Sequence, residues 1–144
     1  MDYETSPGAV IIAGNLLAKE WEYELKQLKI RTRTIFPRVC QDAITGLEDE
    51  AGLVMLSVMP AYLRMLGCQP KQQLDTLGYF LDKLRQEGST NRQTPLIYAP
   101  EITVSAGDVA LIQDLFAKYQ NTHYCDRLSQ DGITPIVKQV MSLK

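Results

Sequence analysis

The polar side chains best placed for chemistry are Asn15, Ser57, Glu101 and Asp131, which fall at or just beyond the ends of short apolar stretches. Two carboxylates, an amide and a hydroxyl around one cleft would hold a small polar ligand by hydrogen bonds, and carboxylates alone hold magnesium weakly. The same residues also make turns: Asp131-Gly132 is a turn signal, and Asn15 is of a type that caps helices. The single histidine, His123, precedes Cys125 by two residues. On a strand the two point to one face but stand well apart, with no third group to orient them as nucleophile and base. A partly buried histidine and a small buried thiol is the expected role. Cys40, Cys68 and Cys125 are scattered, so no metal site is expected. The segment Ala13-Gly14-Asn15-Leu16-Leu17 has one glycine where phosphate-binding loops need several. No nucleotide or other cofactor is expected.

Whether these groups meet depends on the elements that carry them. Ala9 to Ala13, aliphatic enough to be buried on both faces, Leu53 to Met59 and Pro95 to Ala99 are apolar runs closed by Gly14, Pro60 and Pro100, and they predict strands over 9–13, 53–59 and 94–102. Amphipathic stretches alternate with them. Leu17, Trp21, Leu25 and Leu28 recur at helical steps, as do Leu74, Leu77, Leu81 and Leu84. A weaker helix is expected over 38–50, a short one over 60–67 and a closing one over 133–143, and Ser105 caps another, with Val109, Ile112, Leu115, Phe116 and Tyr119 inward. Residues 29–36 alternate, with Arg31 and Arg33 on one face, which suits an edge strand. A short fifth strand covers 123–125, and 88–93 reads as a polar loop at a mobile tip. The pattern predicts one three-layer α/β/α domain over residues 9–144, after a disordered lead at 1–8. Its mostly parallel five-stranded sheet has a flavodoxin-like layout and strand order 2-1-3-4-5. Ligands of such sheets sit beyond the carboxyl ends of the strands, which would gather Asn15, Ser57, Glu101 and Asp131.

The chain has 144 residues, 45% apolar and 22% charged, with a formal net charge of -2. Nothing in that balance favours nucleic acid, and no apolar run approaches the roughly 18 residues of a membrane span. An acidic N-terminus without a signal-peptide pattern and an odd cysteine count point to a reducing cytoplasm. The basic residues Lys26, Lys29, Arg31, Arg33 and Arg38 lie near the expected edge strand. Tyr62 and Met65 lie in the methionine-rich segment after Pro60, whose adaptable apolar surface suits a protein partner.

Two families resemble this layout. Leu53-Val54-Met55-Leu56-Ser57-Val58-Met59-Pro60 looks like the phosphoacceptor strand of response-regulator receiver domains, whose aspartate lies four residues before the proline. That place is Leu56, and Gly14-Asn15 stands where the family's magnesium-binding acidic pair would be. The resemblance therefore implies a pseudo-receiver. Gly14-Asn15-Leu16-Leu17 and Asp126 to Pro135 are similar to the first and last blocks of SGNH hydrolases. Leu16 takes the nucleophile's place and Thr134 the histidine's, so only Asp131 of the catalytic set remains.

With the framework present and the working positions substituted, the expected function is a non-catalytic protein-interaction or regulatory domain. Its partner is another protein, met through Arg31, Arg33, Tyr62 and Met65, and a homodimer is compatible with this. The alternative is a small ligand-binding protein, or an enzyme of degenerate hydrolase-like or receiver-like type. It would use the cleft of Asn15, Ser57, Glu101 and Asp131.

Overall fold

The computed structural model describes residues 8–13, 17–48, 50–57, 73–99, 105–125 and 132–142. The aliphatic runs lie side by side as β1 (Ala9–Ile12), β3 (Leu53–Leu56) and β4 (Leu96–Tyr98), flanked by β2 (Thr32–Ile35) and β5 (Thr122–Tyr124). All pairings are parallel, in the order β2-β1-β3-β4-β5, as the sequence pattern predicts. Among the described residues five helices accompany the strands: α1 (Leu17–Gln27), α2 (Cys40–Glu48), α3 (Gln73–Arg85), α4 (Ala106–Phe116) and α5 (Thr134–Val140).

Side-chain alternation along the strands divides the core in two. Val10, Ile12, Val54, Leu56, Leu96 and Tyr98 pack with α2, α3 and α4 through Ala43, Leu47, Leu77, Leu81 and Phe116. Ala9, Ile11, Leu53, Met55 and Ile97 pack on the other face with Trp21 and Leu25 of α1 and Val137 of α5. The three inner strands are buried along their whole length, whereas β2 and β5 are half-buried edges. Each fully buried Leu or Ile contributes about 1.5–3 kcal/mol, so these double-faced strands are the main source of stability. Tyr98 adds edge-to-face contacts with Phe116 and Tyr124, at ring-centroid distances of 6.0 and 6.4 Å. Gly46 lets α2 lie close on the sheet, because a Cβ there would come within 2.8 Å of the Ile35 side chain.

Several boundaries are shorter than the apolar pattern suggests, for local reasons. Helix α1 closes on Lys29, whose φ is 61°. The amide of Ile30 donates to the Leu25 carbonyl at 2.9 Å and that of Lys29 to Lys26 at 2.9 Å, a left-handed helix stop that delays β2 to Thr32. Thr94 does not extend β4: its hydroxyl donates to the Ala51 carbonyl at 3.1 Å, tying the loop to the entry of β3. Ser105 caps α4 as expected, accepting from the Asp108 amide at 3.2 Å. The expected 60–67 helix, and all of the 1–8 lead except Gly8, lie outside the described residues.

Candidate functional site

At the carboxyl end of β3, Ser57 is fully buried. Its amide donates to the Ile12 carbonyl at 3.0 Å, which carries the β1–β3 ladder one step past the strands. Its hydroxyl oxygen has no hydrogen-bond partner among the described residues. Buried hydroxyls are normally paired, so this oxygen marks the strand end as a polar position inside an apolar frame. Asn15, Glu101 and Asp131, expected around the same cleft, lie outside the described residues, as do Tyr62 and Met65.

Leu56, which the sequence resemblance sets in the place of a receiver phosphoacceptor, has no accessible surface. It pairs with Ile12 and Tyr98 in the ladder and joins the cluster beneath α2, α3 and α4. A branched alkyl group there offers no oxygen to a phosphoryl donor or to a metal ion. Among the described residues no group of three or more His, Cys, Asp or Glu side chains is placed to hold a metal.

His123 and Cys125 fall on one face of the β5 strand and its exit, as the spacing requires. His123 is half-buried and lies level with Ile97, while Cys125 is buried in the cluster shared with α1 and α5. Burial, then the positive charge of Arg85, lowers the His123 pKa below its ordinary value.

Thr134, in the position a hydrolase gives to histidine, has a structural partner. Its hydroxyl donates to Glu24 Oε1 at 3.0 Å, and the amides of Ile133 and Thr134 donate to the same oxygen at 3.0 and 3.3 Å. A carboxylate from α1 thereby caps α5, whose own N-cap residue, Ile133, has no capping side chain. Gly132 completes the arrangement: its φ is 65°, and a Cβ would lie 2.3 Å from Glu24 Oε1.

The opposite end of the sheet holds a polar network that the sequence pattern missed. Arg85 Nη1 donates to the carbonyls of Asn91, Arg92 and Thr94 at 3.1, 2.9 and 2.6 Å, and Nη2 to that of Asn121 at 2.9 Å. Burial lowers its pKa from the ordinary value. Asn91 is buried, donates to the Leu47 carbonyl at 2.6 Å and accepts from the Ala51 amide at 3.1 Å. The polar 88–93 segment is therefore not the free tip its composition suggests, because Asn91 anchors it beneath β3. The available signal was a basic residue closing an amphipathic helix just before a loop with an asparagine.

Arg31 and Arg33 flank Thr32 on the β2 edge, both exposed. Arg31 lies at the amino end of the strands, where its carbonyl accepts from the Ala9 amide at 2.7 Å. The edge and the Ser57 position are thus two separate places on the molecule.

No protein-family model matches the sequence, and no curated protein matches it. Solved structures do match in fold. The chemotaxis protein CheY4 of Vibrio cholerae is 9% identical with a TM-score of 0.62, over 94% of this chain and 99% of that one. A two-component response regulator from Clostridium difficile is 14% identical with a TM-score of 0.62, over 95% and 97%. The receiver domain of sensor histidine kinase PA1611 from Pseudomonas aeruginosa, with magnesium coordinated in its active-site cleft, is 12% identical. It has a TM-score of 0.60 over 96% and 99%. The neighbours are response-regulator receiver domains, and the likeness is one of fold.

Proposed function

We propose that the chain is a regulatory protein-interaction domain on a receiver-like scaffold, working without aspartyl phosphorylation, with residues 9–144 as its single domain. The observation that supports this reading is Leu56, a fully buried alkyl side chain at the position that the spacing before Pro60 likens to a receiver's phosphoacceptor. A receiver changes partners by adding charge at that point, and Leu56 has no atom to accept it. Regulation then comes from the partner's own binding and not from a phosphoryl group. A reducing cytoplasm agrees with Cys125 being a buried cysteine outside any disulfide. Incubation with acetyl phosphate and magnesium, followed by intact mass measurement, is expected to show no phosphoryl adduct. A stoichiometric adduct on an aspartate would overturn the reading. Native mass spectrometry of the protein as isolated should find a copurifying protein in preference to a small molecule.

A second reading has its own observation, the unpartnered Ser57 hydroxyl. In that reading Asn15, Ser57, Glu101 and Asp131 line a small-ligand site beyond the strand ends. A bound small molecule released on denaturation, and lost in Ser57→Ala, would favour it.

A further inference from the structure

We infer that the β2 edge is a docking site for an acidic, extended peptide segment of a partner protein, added as a strand beside β2. The inference rests on the interaction-domain reading above and gives its partner a chemistry. Three observations converge on this edge.

The first is the open backbone. The amides of Ala9 and Ala13 donate to the carbonyls of Arg31 and Ile35, at 2.7 and 3.0 Å. In a parallel ladder that register turns the main-chain groups of Arg33 toward β1 and those of Thr32 and Thr34 away from it. Among the described residues β2 has β1 as its sole neighbour, so the outward groups form a template for another strand.

The second is where apolar side chains remain exposed. Large apolar residues at least half exposed among the described residues are Tyr23, Phe36, Val39 and Leu111. Two of these four adjoin this edge, Tyr23 on α1 in the groove beside its start and Phe36 directly after its last residue. Tyr23 lines an open groove of ≈ 750 Å³ between α1 and the start of β2, whose wall includes Ile30 and Thr32. A strand on the edge would present alternate side chains to that groove.

The third is charge. Lys19, Lys26 and Lys29 line the groove, with Glu22 as the acid among its described residues, and the Thr34 hydroxyl donates to the Glu22 carboxylate. The described wall of the groove therefore carries three lysines to one carboxylate, on a chain of formal net charge -2. That sign selects the occupant. A second copy paired edge to edge would bring these cations against their own kind, whereas glutamates on a partner strand would meet them. Nucleic acid would satisfy the charge but not the outward amides and carbonyls of Thr32 and Thr34.

The test uses the full chain and a fluorescein-labelled peptide alternating glutamate with valine and ending in phenylalanine, read by fluorescence anisotropy. Binding is expected, weakening about tenfold in Lys26→Glu/Lys29→Glu and likewise when salt is raised several-fold. A peptide with proline in place of valine keeps the charge but cannot add as a strand, and should bind about tenfold more weakly. Equal binding of the proline peptide or of a lysine-for-glutamate peptide would overturn the inference, as would tighter binding of oligothymidylate or no binding at all. Salt dependence of the unaltered protein carries the charge test if the double variant does not fold. Phosphorylation by acetyl phosphate would sink the parent reading while leaving edge binding in place. Loss of peptide binding without phosphorylation sinks the edge alone.

Discussion

Ser57 and Leu56 are adjacent and fully buried, yet they stand in opposite relations to their surroundings. Leu56 is matched to its cluster and needs nothing more. The Ser57 hydroxyl lacks a partner among the described residues, and a buried hydroxyl left that way costs about 1–3 kcal/mol. Ser57→Ala removes the cost while keeping the amide that donates to Ile12. In the absence of ligand the variant should be more stable by about 1–2 kcal/mol in urea unfolding. A stability loss of that size instead would mean that the hydroxyl is bonded within the protein, and would remove the observation behind the ligand-site reading. The aligned spacing before Pro60 was enough to single out Leu56 in the sequence. The solitude of the Ser57 oxygen was not legible there, since it depends on what β1 and β4 bring alongside.

Among the elements, the strands were the most legible because their burial is nearly uniform. Ala9–Ile12 and Leu53–Leu56 are covered on both faces, so an unbroken aliphatic run is what each environment demands. The arginines of β2 gave away the edge for the converse reason. What escaped the sequence were contacts between distant segments. Glu24 caps a helix beginning 110 residues later, and in sequence it reads as one more exposed acid of an amphipathic helix. Asn91 escaped likewise, since a buried anchor and a solvated loop residue look the same in a polar stretch. Asn91→Ala would leave the Leu47 carbonyl and the Ala51 amide buried without their partner. The expected loss is about 2–4 kcal/mol in chemical denaturation, far above an ordinary loop substitution. A change below about 0.5 kcal/mol would show that the anchor carries no weight.

At the scale of the whole molecule, the group among the described residues whose shift bears on stability near neutral pH is His123, the chain's single histidine. Burial and the Arg85 charge hold the folded-state pKa of His123 below its ordinary value of 6.5. The folded protein therefore binds this proton less readily than the unfolded chain does. Above the unfolded value both states carry neutral imidazole and the group contributes no pH dependence. As pH falls below it, the unfolded state takes up the proton first and stability declines until the folded state is protonated as well. The sign is fixed by the direction of the shift: acidification destabilises. The melting temperature should fall between about pH 7.5 and about pH 5.5, and His123→Gln should flatten that part of the curve. The comparison of slopes matters more than the absolute temperatures, since the substitution also alters packing on the β5 edge. Parallel curves for the two proteins would show that the imidazole is as easily protonated in the fold as outside it. A steeper curve in the variant would mean that His123 gains a partner on protonation, reversing the expected sign.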